Sequence, residues 1–332
     1  MVSNTNPSDW LSLTKPRIVF LLCISGVGAV LASGGTHPVT FLGFTVSLAL
    51  IAASASVMNC YYDRHLDTKM ERTQGRPLPS GRIEPLHALI FGLLLLTAGT
   101  VLGAFVLPAR SLVYLLLGFA SYVFLYTVWL KRTHWMGVVL GGSAGSFPVL
   151  AGWTVTGPLT MSGFLMAFFV FAWTPAHAWA LEFVFRDQYE TAGIPTYPVV
   201  KTLNETANGL TWAAVSTVLA GAALIPFTGP LYDAILIGST PMFLFSYYMF
   251  YRDRGENEAV HAFFSANLYL TFLFVGWALD GFLGQPGWMG LYLLALTMPP
   301  SFIWIWRSRP SLGPVEASVD WANDTPVPST ET

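Results

Sequence analysis

Asn59, Asp63 and Asp67 recur at i, i+4 and i+8 in the run Asn59-Cys60-Tyr61-Tyr62-Asp63-Arg64-His65-Leu66-Asp67. On a helix that spacing puts all three side chains on one face. Two carboxylates and an amide oxygen form a hard-oxygen set of the kind Mg²⁺ uses before completing its shell with water and substrate phosphate. The same residues also read as a solvated helix end whose acids pair with Arg64 and Lys69. A turn-prone stretch follows, Arg72-Thr73-Gln74-Gly75-Arg76-Pro77-Leu78-Pro79-Ser80-Gly81-Arg82. Its arginine forks suit bidentate contact with phosphate oxygens, and they suit anchoring to lipid headgroups equally well.

A second cluster begins at Trp173-Thr174-Pro175-Ala176-His177-Ala178-Trp179 and continues through Glu182, Arg186, Asp187, Gln188, Tyr189 and Glu190. His177 and Glu182 fall in an apolar run, where an ionisable group is costly and is a functional candidate for that reason. The structural alternatives are a histidine hydrogen-bonded inside a bundle and a glutamate hydrated at the interface. Gly141-Gly142-Ser143-Ala144-Gly145 matches a nucleophile-elbow pattern, but that motif needs a strand-to-helix turn. Here the small residues sit in an apolar helix, where they permit close packing.

Both clusters must be carried by elements that suit the composition. The 332 residues are 54% hydrophobic and 10% charged, with mean hydropathy +0.56, against about 25% charged in soluble domains. That excludes a soluble enzyme and a disordered chain. A net charge of -2 and a pI near 6.3 supply no field for nucleic acid. Cys23 and Cys60 stand alone in apolar surroundings and offer no disulfide framework or zinc motif.

Apolar segments long enough to span a bilayer as helices cover Arg17–Ser33, Val39–Tyr62, Leu86–Leu107, Ser111–Leu130, Met136–Trp153, Leu159–Phe185, Gly209–Phe227, Leu231–Tyr251, Ala262–Leu283 and Trp288–Trp306. The first follows Lys15 and Arg17 and also fits a cleaved leader, although the many later spans favour a retained helix. The fold class expected is therefore an all-α polytopic membrane bundle. Residues 1–309 form the intramembrane domain and 310–332 a disordered polar tail. With the N-terminus inside, 15 of the 16 Lys and Arg residues fall on one face and Arg110 alone on the other. This asymmetry makes that face cytoplasmic and puts the charged loops Asp63–Glu84 and Arg186–Glu205 there, in the plasma membrane.

Asn59-x3-Asp63-x3-Asp67 resembles the first aspartate-rich motif of the UbiA-type intramembrane prenyltransferases. The branch that farnesylates protohaem is the nearer likeness. Leu13-Thr14-Lys15-Pro16-Arg17-Ile18, Asp63–Ile83, Leu130-Lys131-Arg132-Thr133 and Trp173–Val200 all resemble it. The resemblance implies nine helices, one fewer than the apolar segments. It also implies transfer of farnesyl from farnesyl diphosphate to a vinyl group of haem b, giving haem o for haem–copper oxidases, with haem A synthase as an expected partner.

In that reading Mg²⁺ is the cofactor, held by Asn59, Asp63, Asp67 and Asp187 as the catalytic set. Arg64, Arg72, Arg76, Lys131, Arg132 and Lys201 bind diphosphate, and His177 contacts haem. Two departures stand out. The family's Asp-Arg-Asp-x-Asp is here Asp63-Arg64-His65-Leu66-Asp67, and the acid usual before the tyrosine of the second motif is Gln188. The second acidic cluster is then left to Asp187 and Glu182. The alternatives are the same chemistry on a quinone precursor or a chlorophyllide, and an ion-coupled transporter.

Overall fold

The computed structural model describes residues 6–283, and among them every regular element is helical. Prolines open the helices Pro7–Leu13, Pro16–Ala32, Pro38–Asp67, Pro85–Val106 and Pro230–Asp253. There the missing N–H costs nothing and the fixed φ is already helical. Thr202 and Glu205 form a reciprocal capping box on the helix Leu203–Ala222.

Eight helices are long and apolar enough to cross a membrane, and a ninth span results if Pro7–Leu13 and Pro16–Ala32, bent by 46°, count as one. These match the first nine apolar segments of the sequence. The tenth, Trp288–Trp306, and the tail from 310 to 332 lie outside the described residues. Large side chains cover the outside, with Phe105 85% and Ile237 71% exposed. That is tolerable only where lipid rather than water is the solvent.

Successive spans pack against each other, Pro38–Asp67 on Pro85–Val106 and Pro230–Asp253 on Glu256–Leu283, while Glu256–Leu283 returns to Pro16–Ala32. The helix after Lys15 is thus part of the bundle. At its centre it meets Ser143–Thr156 so closely that a Cβ on Gly152 would collide with the Gly26 carbonyl. Gly142 likewise leaves room for Thr174, so the Gly-Ser-Gly run serves packing, as its sequence context predicts.

Candidate active site

The end of Pro38–Asp67 sets the site. Asn59, Asp63 and Asp67 lie on one face, as their spacing requires, but they are not at a hydrated helix end. Their exposures are 4%, 1% and 3%. The helix that carries them is covered by the span Ala109–Thr133, by the loop after Asp67 and by the start of Pro16–Ala32. This corrects the solvated-end reading.

The partners differ as well. Lys131 Nζ donates to Asp63 Oδ2 at 2.5 Å, and Arg132 Nη2 donates to Asp63 Oδ1 at 3.1 Å and to the Tyr62 carbonyl at 2.7 Å. Arg76 reaches Asp67 at 3.0 Å. Neither Arg64 nor Lys69 is paired with these acids in the way the sequence suggested. Arg64 turns back to the Tyr61 carbonyl at 2.7 Å and covers the Tyr61 ring.

Asn59 is the hinge of the network. Its Nδ2 donates to Asp63 Oδ2 at 2.8 Å and to Thr127 Oγ1 at 3.1 Å, and its Oδ1 accepts from Lys15 Nζ at 2.5 Å. Lys15 and Thr127 are the residues the sequence reasoning left without a role. Lys15 is buried and its backbone is left-handed, with φ 50° and ψ 63°, directly before Pro16. A non-glycine residue is held in that region only when its surroundings impose it, and such strain clusters at functional sites. The legible signal was a lysine opening a run of apolar residues. Thr127 belongs to a π-helical stretch, Ser121–Leu130. Its Oγ1 reaches the Tyr122 carbonyl five residues back. The wider turn aims Thr127 at Asn59, and Lys131 and Arg132 follow at Asp63; π-turns inside membrane and soluble helices often mark functional sites in this way.

The second cluster divides. The helix Met161–Val184 stops at Phe185, and a short helix, Arg186–Thr191, restarts. Glu182 is buried before this break and Asp187 is exposed after it. Gln188, in the place of the family's acid, accepts the Arg72 backbone N–H at 3.2 Å, and Arg72 covers the Phe185 ring. The two charged loops are thereby clasped together, with Met70, Ala192 and Ile194 buried between them. Lys201 pairs with Glu205 at 3.2 Å and faces Trp135, outside the Asp63 network. His177 is sandwiched between Trp173 and Phe263, with ring centroids 4.3 and 4.6 Å away.

Two carboxylates, Asp63 and Asp67, thus face four cations: Lys15, Lys131, Arg132 and Arg76. The excess positive charge suits a polyanion. Among the described residues no three His, Cys, Asp or Glu side chains gather closely enough to hold a metal alone. The donor chemistry nevertheless fits a hard cation, because Asn59 Oδ1 and Asp63 Oδ2 each already hold an ammonium. A metal there would displace those lysines from the two oxygens.

This arrangement, on a bundle of apolar spans, defines an intramembrane prenyl-transfer scaffold. Residues 19–270 match the model of the UbiA prenyltransferase family, and the chain belongs to that family. Among curated proteins it is 38% identical over 285 residues to protoheme IX farnesyltransferase 1 of Cenarchaeum symbiosum, covering 83% of this chain and 96% of that one. In fold it is similar to a digeranylgeranylglyceryl phosphate synthase (TM-score 0.67, 17% identity, 83% and 98% of the two chains). It is also similar to a UbiA homologue from Archaeoglobus fulgidus bound to DMAPP and Mg²⁺ (TM-score 0.60, 16% identity, 82% and 99%). The protein is an integral, multi-pass membrane prenyltransferase. Membership of this family sets the transporter reading aside.

Proposed function

We propose that the protein transfers the farnesyl group of farnesyl diphosphate to a vinyl group of haem b, forming haem o. One observation carries the reading: a buried Asn59–Asp63 couple ringed by Lys15, Lys131, Arg132 and Arg76, in a chain 38% identical to a protoheme IX farnesyltransferase over most of both lengths. The cations bind the diphosphate and stabilise the charge that grows on it as the C–O bond breaks. Mg²⁺ supplies Lewis-acid stabilisation of the same leaving group, with Asn59, Asp63, Asp67 and Asp187 as its protein ligands. The apolar bundle excludes water from the allylic cation until the vinyl carbons have attacked. Water then adds beside the porphyrin ring and loses a proton, which gives the hydroxyethylfarnesyl group. His177, held between two aromatic rings, is the haem contact. The basic loops support a site at the cytoplasmic face of the plasma membrane, with haem A synthase as the partner that receives haem o.

The protein in lipid vesicles, supplied with haem b, farnesyl diphosphate and Mg²⁺, should yield haem o by mass spectrometry. EDTA should abolish the product and added Mg²⁺ restore it. Prenylation of a quinone precursor in place of haem would sink the acceptor assignment, and EDTA-resistant turnover the metal.

A further inference from the structure

Glu182 is unaccounted for by the reaction as proposed. Its side chain is buried inside the span Met161–Val184, at 6% exposure, and its Oε2 has no hydrogen-bond partner. It lines a cavity of about 10 Å³ together with Lys131, Tyr126 and Tyr189. That is roughly the room of one water-sized group, too small for a substrate but matched to an ammonium. Lys131 reaches this cavity, yet its Nζ is spent on Asp63 Oδ2. A buried carboxylate facing a cavity that a nearby lysine borders, while the lysine sits elsewhere, marks a second place for that ammonium.

We infer that Glu182 is a positioning residue that receives Lys131 when a divalent cation occupies Asp63. The inference rests on the magnesium reading above. A cation at Asp63 repels the ammonium beside it. Without Glu182 the ammonium has no other carboxylate of this cavity to turn to and competes with the metal for Asp63. With Glu182 it moves by a side-chain rotation and stays in the wall of the diphosphate site. No bond between heavy atoms is made or broken.

The test is Mg²⁺ binding to the full chain in nanodiscs without diphosphate, followed by calorimetry. Glu182→Gln should weaken Mg²⁺ at least tenfold. Lys131→Met removes the competitor, so it should bind Mg²⁺ as well as wild type, and Glu182→Gln added to it should change nothing further. Lys131→Arg gives a reading that does not depend on how Glu182→Gln folds. Its guanidinium is too large for the cavity and should weaken Mg²⁺ as Glu182→Gln does. Equal losses from Glu182→Gln in both backgrounds would make Glu182 a ligand in its own right and overturn the inference. So would no loss in either background, or Lys131→Arg binding like wild type. If wild type itself fails to bind Mg²⁺, the magnesium reading falls first and takes this one with it.

Discussion

Two buried aspartates at opposite ends of the bundle are held in different ways. Asp63 is held by the side-chain tips of Lys131 and Arg132 and by the Asn59 amide. Asp280, on Glu256–Leu283, accepts the backbone N–H groups of Gly229 and Tyr232 at 3.0 and 2.9 Å, at the start of Pro230–Asp253. Backbone donors cannot leave without unwinding a helix, so the Asp280 contacts hold structure together. Long side chains can turn to another anion at the cost of a rotamer, so the contacts of Asp63 are exchangeable. An exchangeable shell is what a site that must admit and release a diphosphate requires. The contrast also runs within the arginine loop, which is pinned by Arg82 to Asp9 at 2.9 Å while its Arg76 reaches Asp67.

The largest effect that would break this contrast comes from Asp63→Asn. Turnover to haem o should fall by at least about 100-fold, the scale of losing one preorganised electrostatic contact in a transition state. The variant should still fold, because the amide keeps the size of the side chain and the surrounding cations reach partly to solvent. A collapse of the melting temperature with activity per folded molecule intact would make Asp63 a structural residue like Asp280.

Lys15→Gly comes next. Glycine relieves the left-handed backbone before Pro16 while removing the ammonium from Asn59, so farnesyl diphosphate should bind roughly tenfold more weakly (about 1.4 kcal/mol) with thermal stability unchanged or raised. Stability lost with binding retained would show that Lys15 is there for the fold.

Asp280→Ala should do the reverse of Asp63→Asn. It strands two amide donors at a helix start and should cost about 1–2 kcal/mol of stability, read as a lower melting temperature in detergent. The kcat of the folded fraction should not change. A selective loss of turnover would mean the two ends of the bundle are coupled.

The smallest effect belongs to Gln188. Restoring the family's acid as Gln188→Asp shortens the side chain and removes its reach to the Arg72 N–H, whereas Gln188→Glu keeps it. Hydrogen exchange at the Arg72 amide should accelerate in Gln188→Asp, by about fivefold for a bond worth roughly 1 kcal/mol, and stay slow in Gln188→Glu. Equal protection in all three would remove the clasp from the account.

The sequence by itself determined the membrane class, the register of the spans and the shared face of Asn59, Asp63 and Asp67, because hydropathy and helical periodicity are local properties that survive without a fold. The family resemblance named Arg64, Arg72, Arg76, Lys131, Arg132 and Lys201 as diphosphate ligands, and the structure brings Arg76, Lys131 and Arg132 onto Asp67 and Asp63. What the sequence could not carry was pairing across the bundle. Lys15 meets Asn59 across 44 residues and Thr127 meets it across 68, and neither spacing leaves a periodic trace. The π-helical turn at Ser121–Leu130 shifts Thr127 out of the register that an ordinary helix predicts. Gln188 read as a missing charge, yet its oxygen holds the Arg72 amide of the other loop. The break at Phe185, which buries Glu182 and exposes Asp187, likewise belongs to the tertiary structure. Burial is decided by which helices close over a side chain, and only the assembled bundle settles that.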